Sequence, residues 1–322
     1  MTGERLIDTT IYDVIVAGLG PAGLTACLYA ARDGLKVLGL DPAGCGGKLL
    51  TIDNLENYPG ETLIKGPELA AKLEKQIQTL PVKIAYEQVQ EVTDIDAAVK
   101  SVQTRRHTYR GRSLILATGC RERTLGLEAE NELRGRGVSY CAVCDGRFYK
   151  DKDVLVIGGG NSAFAASTYL SRYVKSVKQV LRRDVARANK IEVERVLQNP
   201  KVQVFYNLLP QAFLQEKIDG EEQFCGMSFC RRTDGQTVDL QADGVFIMAG
   251  EEPNSGFLQN EATSLLLDRH NCVQTDRDLK TVVPGVFAAG DLRDTNLRQV
   301  VTAAADGALA AYKAQEYLSS LN

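Results

Sequence analysis

The chain has 322 residues, 44% of them hydrophobic and 25% charged, with a formal net charge of −3. That length suits two domains of ordinary size, each with its own core, and the charge supplies neither a basic footprint for nucleic acid nor a polybasic membrane signal. Histidine is confined to His107 and His270, and nowhere do 18 apolar residues run together, which disfavours a histidine-rich metal site, a Ser-His-Asp hydrolase and a membrane span. The N-terminus, MTGERLIDTTIYDVIVAG, lacks the basic, apolar and small-residue layout of a signal peptide, so a cytoplasmic location is expected.

The first predicted unit is Tyr12–Asp41, YDVIVAGLGPAGLTACLYAARDGLKVLGLD. A short β-branched run passes through clustered glycines into an Ala/Leu-rich helical stretch and then a second strand, the pattern of a βαβ unit. Gly18 permits the tight turn, Gly20 lets the backbone approach a pyrophosphate, and Gly23 lets the helix pack on the sheet; the diphosphate then sits over the helix N-terminus. Asp41 closes the second strand, where an acid accepts hydrogen bonds from a ribose diol, as FAD requires.

Next comes Tyr140–Gly146, YCAVCDG, with the chain's one CxxC, Cys141 and Cys144. Two cysteines three apart lie on one turn, close enough to bridge, and thiol–disulfide exchange needs one thiol to attack while the other resolves. An acid directly after them, Asp145, can move the proton. Half of a zinc knuckle is the competing reading, but zinc wants a second pair, and Cys225 and Cys230 are spaced differently and lie far along the chain. The remaining cysteines read as structural thiols of a reducing cytosol, with Cys45, in GCGGK, the one nearest an expected cofactor loop.

Lys152–Asp184 repeats the first pattern as GxGxxA, with Gly158, Gly160 and Ala163. At the end of its second strand stand Arg182 and Arg183, with Arg187 a turn later, which suit the 2′-phosphate of NADPH. Gly285–Asp291, GVFAAGD, is a further short strand ending in Gly-Asp, followed by Arg298, Gln299 and Val300 and an Ala-rich helix to about Tyr317. A nucleotide-site fragment so far from the first unit implies an α/β fold of two Rossmann-like dinucleotide-binding domains, the second inserted into the first. The expected division is an FAD-binding domain over 1–117, an NAD(P)H-binding domain carrying the CxxC over 118–249, and the rest of the FAD domain over 250–322.

The order GLGPAG, GGKL, ENYPG, ATG, GRGVSYCAVCDG, GGGNSA, RRxxxR, GVFAAGD resembles the bacterial-type, low-molecular-weight thioredoxin reductases over essentially the whole chain. The resemblance implies FAD on Gly18, Gly20, Pro21, Ala22, Gly23, Asp41, Gly47, Lys48 and Asn57, with Thr118, Gly119, Gly290, Asp291, Arg298, Gln299 and Val300. It implies NADPH on Gly158, Gly160, Asn161, Ser162, Arg182, Arg183 and Arg187, with thioredoxin or a thioredoxin-like protein as partner, and a homodimer. By the family's pattern Cys144 faces the flavin, Cys141 attacks thioredoxin, Asp145 is the general acid, and the inserted domain rotates between two half-reactions.

Several positions depart from that pattern. Ala165 and Ala166 stand where the family has an acidic pair, Leu181 and Glu251 where it has histidines, Lys48 where it has glutamine, and Cys120 where it has alanine. The changes on the nicotinamide side leave a second donor open, ferredoxin or another reduced carrier in place of NADPH. A dithiol oxidase is the further alternative, although such relatives carry histidine after the CxxC and this chain carries Asp145.

Overall fold

A β-branched run with no polar alternation suits a strand buried on both faces. DVIVA does so in a computed structural model of the chain, as the inner half of β1 (Leu6–Ala17), whose last four residues are all buried. The structure describes residues 6–52, 55–218 and 221–321. After β1 come α1 (Pro21–Arg32), with proline in its first turn, β2 (Val37–Leu40), α2 (Gly66–Gln78), β3 (Val82–Ala85), β4 (Glu91–Thr93), β5 (Lys100–Gln103), β6 (His107–Leu116) and β7 (Cys120–Glu122). The middle of the chain forms β8 (Val138–Ser139), α3 (Ala142–Asp145), β9 (Asp153–Ile157), α4 (Asn161–Leu170), β10 (Ser176–Val180), α5 (Lys190–Leu197) and β11 (Val202–Phe205). It continues with β12 (Leu208–Ile218), β13 (Glu221–Arg231), β14 (Thr237–Gln241), β15 (Gly244–Ile247) and β16 (Glu251–Pro253). The last elements are β17 (Val286–Ala288) and α6 (Val300–Ser319). Two compact units result, one from the residues up to Arg121 and from Glu252 onward, the other from Glu122–Glu251. The two connecting strands, β7 and β16, pair with each other.

In the first unit the parallel strands run β3-β2-β1-β6, with β17 also on β6. β4 and β5 form an antiparallel meander on the first half of β6. The chain steps away from β1 on one side and returns on the other, so β1 and β6 flank the point where strand order reverses. In open α/β sheets ligands bind in the crevice at that point, beyond the carboxyl ends of the strands. Here those ends are Ala17 and Leu116, directly paired. Above the sheet α1 lies on α6 through small side chains, among them Ala22, Ala26, Ala30, Ala303, Ala310 and Ala314, all buried. The approach is so close that a Cβ on Gly307 would lie 2.1 Å from the carbonyl oxygen of Ala22.

The second unit repeats the plan with five parallel strands, β11-β10-β9-β15-β8. Its order reverses between β9 and β15, whose ends Ile157 and Ile247 are paired. The antiparallel sheet β12-β13-β14 covers one face, burying Phe213, Phe224, Met227 and Phe229 against Val138, Leu155 and Val180. On the other face α4 buries Ala163, Ala166 and Leu170 against Val154, Val156 and Phe246. Among the described residues no helix is long and apolar enough to cross a membrane.

Candidate active site

The two glycine-rich turns solve one steric problem twice. Gly18 has φ +95°, and a Cβ there would lie 2.4 Å from the carbonyl oxygen of Ala117. Gly158 has φ +153°, and its Cβ would lie 2.5 Å from that of Met248. Each first glycine is therefore required by the neighbouring strand end, whatever binds nearby. Gly20 and Gly160 differ, since a Cβ on Gly20 would meet only the Cα of Gly47 at 3.9 Å and one on Gly160 would meet nothing within 4 Å. These two face open space at the N-termini of α1 and α4, the place where such helices take a diphosphate. The residues present thus fit a dinucleotide in each unit.

Around the first turn the chain collects its distant segments. Asp41 accepts from the backbone N–H groups of Leu19 and Ala43, both at 2.9 Å, which ties the end of β2 to the glycine turn. Gly47 abuts Gly20, and Gly290, at φ +71°, abuts Ala22. Thr118 and Asn254 form a reciprocal pair, Thr118 Oγ1 donating to the Asn254 carbonyl at 2.8 Å and Asn254 Nδ2 to the Thr118 carbonyl at 2.9 Å. Gly119 accepts from the Asn254 N–H at 2.9 Å, completing a clasp on the end of β6. Asn57 Nδ2 donates to Gln299 Oε1 at 2.9 Å. Gln299 is also the N-cap of α6, in a capping box with Thr302, while Val300 packs on the Leu49, Leu55 and Ile64 cluster. Lys48 Nζ donates to Cys120 Sγ at 3.2 Å, and Cys120 Sγ lies 3.8 Å from Asp291 Oδ2. Arg298 is half-buried in the loop before α6.

In the second unit the segment after β10 folds back over the turn. Arg187 N donates to the Gly159 carbonyl at 2.7 Å, and Asn189 N to Asn161 Oδ1 at 2.8 Å. Arg182, Arg183, Arg187 and Ser162 are exposed. Arg232 joins them, its guanidinium donating to the Arg182 carbonyl at 3.1 Å. Nothing in the sequence links Arg232 to this corner, because the pairing depends on how β13 ends. Ala165 is on the exposed face of α4 and Ala166 on its buried face.

Cys141 and Cys144 are joined in a disulfide with Cα atoms 5.3 Å apart. Cys141 caps α3, and the backbone N–H of Cys144 donates to Cys141 Sγ at 3.1 Å. Ser139 organises the group: its hydroxyl donates to Asp145 Oδ2 at 2.6 Å and accepts from Cys141 N at 3.1 Å. That serine, 4% exposed, stands inside the GRGVSYCAVCDG motif, yet only the turn of the chain shows what it holds. Beside the acid, burial pushes the Tyr149 hydroxyl up to about 12, with the Asp145 charge adding to the effect. Upstream, Glu130 anchors Tyr140, whose hydroxyl donates to it at 2.6 Å. At Cys45, by contrast, burial and neighbouring Glu74 push the thiol up to about 12.

The family described as pyridine nucleotide-disulphide oxidoreductase matches residues 12–307. A thioredoxin reductase of Treponema pallidum is 42% identical over 313 residues, covering 97% of this chain and 99% of that protein. One of Listeria monocytogenes is 40% identical over 315 residues, covering 98% and 96%. The chain belongs to the low-molecular-weight thioredoxin reductase family. Among solved structures, the thioredoxin reductase of Streptococcus pyogenes superposes with a TM-score of 0.88 at 37% identity, over 97% of this chain and 100% of that one. That of Giardia duodenalis gives 0.88 at 32% identity, over 97% and 100%. These relatives span both units, so family membership covers the cradles and the disulfide alike.

Proposed function

We propose that this chain is a cytoplasmic thioredoxin-disulfide reductase that holds FAD in its first unit and NADPH in its second, works as a homodimer, and delivers two electrons to thioredoxin through Cys141 and Cys144. The observation that carries this reading is the Cys141–Cys144 disulfide with Asp145 fixed beside it by Ser139. When bound, FAD supplies the step from two-electron hydride chemistry to disulfide reduction. Opening the disulfide consumes two electrons and two protons and leaves two thiols. The N–H of Cys144 then favours negative charge on Cys141 Sγ, which supports Cys141 as the thiol that attacks a partner disulfide. Attack forms one mixed S–S bond and releases a partner thiolate; Cys144 displaces the second, restoring its bond to Cys141. Asp145, oriented by Ser139, is the group that moves the proton. Exposed Arg182, Arg183 and Arg187 suit a 2′-phosphate, and Arg232 adds charge to the same corner.

The test is anaerobic mixing of the purified flavoprotein with NADPH and, separately, NADH. Rapid loss of flavin absorbance with NADPH, and at least tenfold slower loss with NADH, is the expected result. Cys144→Ser keeps that bleaching and loses thioredoxin reduction; full turnover by this variant refutes the assigned pair. A second reading is favoured by Ala165, Ala166, Leu181 and Glu251, which leave the nicotinamide side without the family's acids and histidines. It replaces NADPH with a reduced carrier protein such as ferredoxin. Bleaching by reduced ferredoxin and by neither nucleotide is the outcome that selects it.

A further inference from the structure

We infer that Lys48 is a positioning residue whose ammonium, seated on Cys120, counters negative charge at the flavin and so sets the flavin's potential. This rests on the reading that FAD occupies the first unit. Three segments meet at the carboxyl edge of that sheet, each fixed by its own close contact. Gly47 presses on Gly20, Gly290 presses on Ala22, and the Thr118–Asn254 clasp holds the end of β6. The residue that follows each contact carries a polar head into one cluster: Lys48, Asp291 and, two positions after Thr118, Cys120. Lys48 Nζ donates to Cys120 Sγ at 3.2 Å, and the same sulfur donates toward Asp291 Oδ2 at 3.8 Å.

A thiol can accept from the ammonium and donate to the carboxylate at once; a methyl group at the same place could do neither. Lysine otherwise keeps much rotamer freedom and turns its head to water. Cys120 is 4% exposed, so its sulfur gives the ammonium a fixed seat inside the protein. The consequence is electrostatic. Asp291 brings a carboxylate to the cradle, and Lys48 brings an ammonium to the same sulfur. FAD, when bound, would take two electrons and one proton from a hydride donor and would carry one added negative charge until a second proton came from water. A fixed positive charge in a desolvated site stabilises that reduced form more than the neutral oxidised one.

The experiment reads the equilibrium ratio of reduced to oxidised flavin against a dye of known potential in the intact holoenzyme. Lys48→Gln and Lys48→Met are expected to lower that ratio at least tenfold at fixed potential, about 30 mV for a two-electron couple. Lys48→Arg, which keeps the charge, stays within threefold of the parent. Cys120→Ser keeps both hydrogen-bonding roles and also stays close, whereas Cys120→Ala, which removes the sulfur seat, falls between the two groups. An unchanged ratio in both neutral variants overturns the inference. So does weakened FAD retention at unchanged potential, because the lysine would then bind phosphate and not act on the ring. A chain that is purified colourless and takes up no added FAD refutes the FAD reading itself, and the inference with it.

Discussion

Glu130 offers a sharp test of how the redox loop is held. Its carboxylate, 3% exposed, collects four donors: Leu125 N at 2.8 Å and Tyr140 Oη at 2.6 Å on Oε1, Gly126 N at 2.8 Å and Leu127 N at 3.3 Å on Oε2. Glu130→Gln preserves shape but turns one oxygen into an NH2 group. Placed at Oε2, that group faces two backbone donors and orphans both. Placed at Oε1, it faces Leu125 N and Tyr140, and only the hydroxyl can rotate to accept. The second arrangement is therefore favoured, and it costs one buried orphan N–H, about 1–3 kcal/mol, plus the loss of charge-assisted bonds at the rest. A total of about 2–4 kcal/mol follows, or roughly 8–16 °C in the melting temperature of a unit this size. Urea denaturation, read in the presence and absence of the Tyr140→Phe change, measures both the loss and its coupling to the loop. Because Tyr140 precedes Cys141, thioredoxin reduction is expected to slow along with the loss of stability. A Glu130→Gln protein within about 0.5 kcal/mol of the parent refutes the accounting, since a surface substitution would do no more.

Three further outcomes follow from the same kind of reasoning. Gly307→Ala adds helix propensity worth about 1 kcal/mol, but its Cβ meets backbone atoms of α1 at 2.1, 2.9 and 3.1 Å. The clash wins, and thermal unfolding is expected earlier, with flavin released at lower temperature; a stabilised variant would show that α1 and α6 can separate freely. Ser139→Ala removes the hydroxyl that orients Asp145 and accepts from Cys141 N, so disulfide exchange with thioredoxin is expected to fall by about tenfold or more, a charged hydrogen bond being worth about 1.5–3 kcal/mol. Flavin bleaching by the donor is expected to be unaffected, and Ser139→Thr should restore part of the rate. Cys45, pushed up to about 12 by burial and Glu74, should be alkylated at pH 8 roughly a thousandfold more slowly than an ordinary thiol titrating near 8.5. Its labelling rate should keep climbing about tenfold per pH unit beyond pH 9, where ordinary thiols level off; mass-spectrometric labelling that levels off near pH 9 contradicts the placement.

Much of the site's framework was legible from local spacing. Gly18 and Gly158 are forced by strand ends that lie against them, so a βαβ unit with a glycine at that place announces itself in the chain. Cys141 and Cys144 sit one turn apart, and their bridging needs no distant partner. The family's motif order could be read for the same reason, each motif being a short, locally determined turn. Cys45 drew attention through its neighbourhood in GCGGK, and burial shows it to be a packed thiol.

By itself, then, the sequence determined two Rossmann-like units, the disulfide and its adjacent acid, because each follows from contacts within a few residues or from a repeated local pattern. Only the tertiary structure decided which groups hold that chemistry in place. Ser139 reaches Asp145 through the turn into α3, Asn254 clasps Thr118 across 136 positions, and Arg232 joins Arg182 across 50. Lys48 meets Cys120 across 72 positions, and the thiol in turn faces Asp291 across 171. Pairings of that range depend on where strands end and how loops return, and a one-residue change in those returns gives different neighbours with the same motifs. The disulfide of Cys141 and Cys144 is thus written locally. The surroundings of Lys48 and the arginine corner are set by groups that only folding brings together.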